Sequence, residues 1–432
     1  MEKKSKVGIL FASFGPYHAC RIKALSDALS LHNATLTAFR FSLQSDTYSW
    51  SPASPDAVPV ITLSNYNPSG LVGAFRLALS FYLALRREKI GIVFLPSFSP
   101  LPNLLCFIIA KFLQCRTVLM TESWRGTERA PMIGKWVKHI IVRSFDSALV
   151  GGSPQLEYLC FYGMNRAKIF KGYDVVDNDY YITKSTSVRH ASSSIIPGLP
   201  AHYFLSLGRL VEKKNLSFIL RAYSLFLCHL SSPQYKSGDL FASYSRFATD
   251  PSLSQSSIFN LDVADLNNAI PSLVIVGDGP LRQVLEDEAH SLGVTVRDGI
   301  YNPVCSGAPE IVFYPFQQVE TTPLFYSKCM AFILASIYEE WGLVVNEAMA
   351  CGVPVAVSNC VGSSFDLVED GVNGFIFPPN DCQHLAEIFM RLATDNELIE
   401  IMSRNSLSSI QSWSPKLFGD SGIKAINAAL AS

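Results

Sequence analysis

Apolar, β-branched runs alternate with helix-patterned stretches along the whole chain. In the first half the strand-like runs are Val7–Ser13, Thr35–Phe41, Val58–Leu63, Ile90–Leu95, Thr117–Thr121 and Ala148–Gly151. Between several of them lie His18–Leu31, Leu71–Lys89, Leu104–Leu113 and Ile133–Phe145, which carry the helical pattern. Strands that are apolar throughout, interleaved with helices, predict a parallel sheet covered on both faces. The alternation restarts at Tyr203–Leu207 and continues through Leu273–Val276, Ile311–Tyr314, Ala331–Ser336, Val353–Val357 and Phe375–Phe377. Thr183–Pro200 is polar, Ser-rich and Pro-terminated, and reads as a linker or long loop. Ser231–Asn268 is rich in Ser, Asp and Asn without a sustained period, and reads as a surface insertion. The predicted fold class is therefore α/β, with two doubly wound domains. In such sheets ligands bind beyond the carboxyl ends of the strands, so the strand-end loops are where chemistry is expected.

Composition sharpens this picture. The 432 residues are 49% hydrophobic and 16% charged, which excludes disorder across the whole chain. Net charge is −1, without the basic excess that nucleic acid usually requires. Residues 1–200 hold 22 Lys+Arg against 12 Asp+Glu, a net of +10, and residues 201–432 hold 13 against 24, a net of −11. Two halves of opposite sign suggest domains meeting different partners. The ten cysteines form no C-x-x-C and read as small buried hydrophobes in a reducing compartment, not as a disulfide framework or zinc site. The basic stub before Val7 is followed by too few apolar residues for a signal peptide. No window reaches roughly 18 uninterrupted apolar residues. The expectation is a cytoplasmic chain, soluble or peripheral on the inner face of the membrane.

Three strand-end clusters carry candidate chemistry. In Ala335–Gly352 a strand ends near Ser336, an acidic loop follows, and Gly342 opens a helix. Glu339 and Glu347 flank the helix start, where the amides of Gly342, Leu343 and Val344 suit an anion. A carboxylate on each side of an anion site fits a nucleotide sugar, with phosphates between hydroxyl-bearing ends, although acids near a helix start also occur for local stability alone. In Ser206–Asn215 a strand ends at Gly208, followed by Arg209 and Lys214, two cations suited to a pyrophosphate leaving group or to solvated surface charge. In Leu273–Leu281 the turn Gly277-Asp278-Gly279 lacks the final glycine of a dinucleotide fingerprint. It reads equally as a nucleotide-contacting loop or a tight strand–helix connection.

These clusters, in this order, with Gly352-Val353-Pro354-Val355 behind them, resemble the retaining glycosyltransferases of family 4, over about Phe204–Asp381. The segment EEWGLVVNEAMACGVPV is similar to that family's E-x7-E motif, with Glu339 and Glu347 as its acids. The resemblance implies the GT-B fold, two Rossmann-like domains facing a central cleft. Residues 1–182 would be the acceptor domain, 183–200 the linker, and 201–414 the nucleotide-sugar donor domain with an insertion at about 231–268. Residues 415–432 would form a helix returning towards the first domain. By the same resemblance Arg209 and Lys214 hold the donor diphosphate in place of a metal, Glu339 the transferred sugar and Glu347 the ribose. Gly15, Gly208, Gly277, Gly279, Gly342, Leu343 and Val344 would line the donor. The first half resembles the family more weakly. Its middle-strand segment Leu119–Gly126 carries Glu122 where many members have a His, and no catalytic His is assigned. His18, Arg21 and Glu122 are the acceptor-side candidates.

The implied reaction is retaining transfer of a sugar from a nucleoside-diphosphate sugar to an acceptor hydroxyl on a carbohydrate or lipid-linked molecule, in polysaccharide or glycolipid assembly. No cofactor and no metal is expected, and no nucleic acid. Epimerases, phosphorylases and non-catalytic nucleotide-sugar-binding subunits share the GT-B architecture and remain alternatives. Asp177-Asn178-Asp179 is a DxD triplet, the metal signature of the single-domain GT-A fold, which would leave the second half unexplained. Lys135, Trp136, Lys138, His139 and Arg143 fall within one predicted helix, and Arg86, Arg87 and Lys89 end another. A basic, partly apolar face of that kind suits an anionic membrane surface, or is simply the solvated back of packed helices.

Overall fold

Fourteen short, mostly buried strands among the described residues form two all-parallel sheets of seven. The computed structural model describes residues 6–43, 50, 55, 57–64, 70–128, 132–189, 196–231, 270–305 and 308–432. The first sheet contains β1 (Lys6–Phe11), β2 (Thr35–Arg40), β3 (Val60–Thr62), β4 (Ile92–Pro96), β5 (Arg116–Thr121), β6 (Ser147–Val150) and β7 (Ile169–Lys171), in the order β3-β2-β1-β4-β5-β6-β7. The second contains β8 (Tyr203–Leu207), β9 (Ser272–Val276), β10 (Val296–Asp298), β11 (Ile311–Tyr314), β12 (Ala331–Leu334), β13 (Val355–Ser358) and β14 (Gly374–Phe377), in the order β10-β11-β9-β8-β12-β13-β14. The order reverses between β1 and β4 in one sheet and between β8 and β12 in the other. Each reversal leaves a crevice at the carboxyl ends of its two central strands, because the flanking connections run to opposite faces.

Helices cover both faces of the first sheet. Helix α1 (Pro16–Ser30) packs on the last helix, Pro415–Leu430, which also lies against β5, β6 and β7. The approach is close: a Cβ on Gly419 would sit 2.7 Å from the Ala24 carbonyl. The other face carries α2 (Gly70–Glu88), α3 (Leu101–Phe112), α4 (Met132–Ser144) and α5 (Ser153–Phe161), around a core that includes Leu77, Phe81, Phe107, Val142 and Leu159. A separate core, running from β1 through the last helix to β12, joins the two sheets, and within it Trp341 and Trp413 stack 5.3 Å apart.

Two sequence expectations change. The linker expected over 183–200 begins as helix: α6 spans Asn178–Arg189 and buries Asn178, Tyr181, Ser185 and Val188. That stripe mixes polar with apolar residues, so hydrophobicity alone did not reveal it. The cysteines are free, but only Cys106, Cys115 and Cys351 are buried, and Cys228 and Cys305 are exposed. The insertion expected at about 231–268 lies outside the described residues, apart from Ser231, where α7 (Leu216–Ser231) ends.

Candidate active site

The acids and cations singled out in the second half meet because β8 and β12 are neighbours at the crevice. The loop after β8 carries Gly208, Arg209 and a turn of 3-10 helix, Glu212–Lys214, and the loop after β12 carries Ser336, Glu339 and Glu340. A backbone bond from Ile337 N to Lys213 O (2.9 Å) ties the two loops together. Glu339 accepts from Lys213 Nζ at 3.0 Å, from Lys214 Nζ and from Ser336 Oγ at 3.2 Å. Burial alone would raise its carboxyl, but the two ammonium groups hold it below the ordinary glutamate range. Glu340 is more exposed and pairs with Lys213 at 3.2 Å. Arg209 is exposed. Together with Ser206, Gly208 and Lys214 it lines a small pocket at the end of β8. Lys213 was not singled out from the sequence, although it stands beside Lys214 and grips the same carboxylate.

The glycines divide by role. Gly342 adopts φ 94° at the start of helix Leu343–Ala350, a left-handed turn in which a side chain is strained, and the chain reverses there from the Glu339 loop into the helix. Gly277 and Gly279 are filled from behind: a Cβ would lie 1.9 Å from Gly208 O on the first and 2.3 Å from Leu210 O on the second. Gly208 N donates to Val276 O and Leu210 N to Asp278 O, each at 2.9 Å, so the loops after β8 and β9 close on each other. The structure thus gives Gly277 and Gly279 a packing reason to be glycine, separate from the donor-facing role expected of them.

Glu347 differs from expectation. It is 1% exposed, its Oε1 accepts from the Tyr17 hydroxyl, and its Oε2 accepts from the Tyr326 hydroxyl at 3.0 Å. Tyr17 comes from the first domain, where Pro16 begins α1, so this carboxylate sits in the seam between the two halves and not on the open cleft. Burial pushes it up to about 7, with the tyrosine hydrogen bonds pulling the other way. Tyr17 and Tyr326 thus occupy both oxygens of the carboxylate.

The first-domain candidates also separate. Gly15 caps α1, its amide donating to His18 Nδ1 at 3.0 Å, and the His18 ring lies on Phe11. Burial and the nearby Arg21 charge lower His18 to about 3, so it stays neutral as a cap. Arg21 is 2% exposed; it donates to Asp174 Oδ1 at 3.2 Å and Val175 O at 3.3 Å and lies over the Tyr173 ring, buried instead of facing an acceptor. Burial raises the carboxyls of Glu122 and Asp174, with the Glu122 charge adding to the rise at Asp174 and Arg21 opposing both. Trp124 Nε1 donates to Glu339 O at 2.9 Å, and Gln155 Nε2 donates to Glu340 O at 2.7 Å and Glu122 O at 3.2 Å. These two side chains, missed in the sequence, pin the acidic loop from the opposite domain. In the DxD triplet, Asp177 accepts from Tyr180 N at the start of α6, and Asn178 Nδ2 donates to Ile410 O. Among the described residues no cluster of three His, Cys, Asp or Glu side chains is arranged to hold a metal ion.

Comparison with known proteins bears on the second sheet most directly. The chain is 35% identical over 109 residues to an uncharacterized glycosyltransferase of Methanocaldococcus jannaschii, covering 25% of this chain and 24% of that one. It is 32% identical over 133 residues to the alpha-D-kanosaminyltransferase of Streptomyces kanamyceticus, covering 31% of each. The match therefore spans less than a third of the length of these relatives. Among solved structures, a glycosyltransferase from Rickettsia africae superposes with a TM-score of 0.64 at 13% identity, over 99% of both chains. The Anabaena protein HepE, solved with UDP, gives 0.64 at 15% identity, over 98% of this chain and 100% of that one. The architecture is the GT-B fold, and residues 262–408, just over a third of the chain, match the family model for glycosyl transferases group 1.

Proposed function

We propose that this chain is a retaining, metal-independent glycosyltransferase. It moves a sugar from a nucleoside-diphosphate sugar to an acceptor hydroxyl in polysaccharide or glycolipid assembly. The observation that carries the reading is the Glu339 carboxylate held by Lys213 and Lys214 beside Arg209, at the crevice between β8 and β12. The group 1 family match over the same sheet and the UDP bound by HepE support a nucleotide-sugar donor.

In this reading Arg209 and Lys214 turn to the diphosphate when the donor enters, because two cations neutralise the charge that grows on a departing diphosphate. Glu339 is then free to accept hydrogen bonds from sugar hydroxyls. The bond between the anomeric carbon and the diphosphate oxygen breaks, and the bond to the acceptor oxygen forms on the same face. The acceptor proton passes to the leaving phosphate oxygen. Placement of the reactants by the two domains supplies the rest.

Purified protein incubated with radiolabelled UDP-, GDP- and ADP-sugars tests the reading. Transfer should survive excess EDTA, and Arg209→Ala or Lys214→Ala should nearly abolish it. Glu339→Ala should lower kcat/KM by roughly 100-fold, the scale of one lost preorganised polar contact, while Glu340→Ala does much less. Loss with EDTA that manganese restores would sink the two-cation account. Isomerised donor, phosphorolysis or binding without turnover would reassign the chain to the other users of this fold.

A further inference from the structure

Helix α2 is apolar on two sides. Its inner side buries Ala74, Leu77, Ala78, Phe81, Ala84 and Leu85. On its outer side Leu71, Val72, Phe75, Leu79 and Leu83 are 66, 65, 61, 59 and 57% exposed. At about 100° per residue these five fall within an arc of about 120°, opposite the buried set. A helix at a water-facing surface carries charged or polar residues on that arc. The apolar surface continues onto α3, which packs beside α2 and exposes Ile108 and Phe112. On α4, which covers the same face of the sheet, Trp136, Val137 and Ile140 are exposed as well. Single exposed apolar residues are ordinary, but a continuous face marks a contact surface.

The charges around this face are positive. The one acid on α2 is Glu88, which pairs with Arg87 at 2.9 Å. Arg76, Arg86 and Lys89 are exposed on or just beyond α2, and Lys135 and Arg143 on α4. Lys138 does not belong to the set, because it is held by Glu128 at 3.0 Å and by the Tyr158 hydroxyl at 2.6 Å. A second copy of this chain would bring the same cations face to face, whereas an anionic lipid surface answers both the apolar stripe and its basic flanks.

We propose that the outer face of α2, α3 and α4 docks on an anionic membrane surface, with the Leu71–Leu83 stripe entering the headgroup layer. The amino-terminal ends of α2 and α3 follow β3 and β4, so they lie at the carboxyl edge of the sheet, on the side where the cleft opens. A lipid-linked acceptor in that membrane would meet the site directly. This last step rests on the glycosyl-transfer reading, and the docking itself does not.

Co-sedimentation of the full chain with vesicles, without nucleotide sugar, tests the docking. Binding should appear with phosphatidylglycerol-containing vesicles and be much weaker with phosphatidylcholine alone. Salt should weaken it without abolishing it. Phe75→Glu/Leu79→Glu should lower the affinity at least 10-fold at unchanged Tm, and Arg76→Glu/Arg86→Glu should lower it and flatten its salt dependence. Absence of vesicle binding would overturn the proposal, as would unchanged binding by both double variants. A dimer in sedimentation equilibrium that Phe75→Glu/Leu79→Glu splits would give the face to a second copy instead. With no donor present, failure here leaves the donor-site reading standing, and failure of turnover leaves the vesicle result standing.

Discussion

Two glutamates eight positions apart ionise in opposite settings. Glu339 is kept charged by Lys214 and Lys213 against the pull of burial, while burial raises Glu347 from 4.5 to about 7, only partly offset by Tyr17 and Tyr326. A carboxyl raised on folding favours the protonated folded state. Its stabilising contribution is complete below about pH 4.5 and is lost as pH rises through about 7. Glu347→Gln removes that loss, since the amide still accepts from one tyrosine and donates to the other. The variant should therefore melt above the wild type at pH 8, by a difference on the order of a few kcal/mol in stability, and near it at pH 5. An identical Tm difference at the two pH values would show that Glu347 does not titrate as its burial implies. Glu339 and Lys214 were legible in the sequence because both follow apolar runs, where strand-end loops converge. The Tyr17–Glu347 contact was not, because its partners lie 330 positions apart and neither residue carries a local signal for the other.

At the scale of elements, legibility followed position in the sheets. The central strands are four or more residues long and rich in apolar residues, whereas the two strands missed, Ile169–Lys171 and Val296–Asp298, are three-residue edge strands that carry charged residues. Edge strands are solvated on one side and need no continuous apolar run. Helix α6 was hidden for a related reason: it packs on helix Leu343–Ala350, and its buried set includes the polar Asn178 and Ser185, with Asn178 Nδ2 donating to Ile410 O. The β8 and β9 loops offer a direct check on what the glycine-rich turn is for. Gly277→Ala, at φ 145° with Gly208 O 1.9 Å from the new Cβ, should destabilise by about 3 kcal/mol, as steric and backbone strain combine. Gly91→Ala, with nothing within 4 Å, should change stability by no more than about 0.5 kcal/mol. Thermal melts compare the two. Equal melting temperatures for Gly277→Ala and wild type would leave the turn free to serve a ligand alone.

Across the whole molecule, the oppositely charged halves meet in a seam that several independent contacts hold. The last helix lies on α1, Asp366 accepts from Ser153 and from Lys171 Nζ at 2.9 Å, and Trp124 and Gln155 fasten the acidic loop. Tyr17 adds a contact of a different kind, because its hydroxyl occupies a carboxylate that the glycosyltransferase reading reserves for the donor ribose. Donor entry then requires this hydrogen bond to break, and its net worth, about 1 kcal/mol, is subtracted from donor affinity. Tyr17→Phe removes the competing hydroxyl while keeping the ring against Trp50. Calorimetric titration with UDP, GDP and ADP should show the preferred nucleotide binding about 5-fold more tightly to Tyr17→Phe than to the wild type. Tyr326→Phe should show no such gain, since Tyr326 belongs to the same domain as Glu347 and orients its carboxylate from behind. Weaker nucleotide binding by Tyr17→Phe would mean that Tyr17 supports the donor site instead of capping it. The closed seam would then be the donor-competent arrangement.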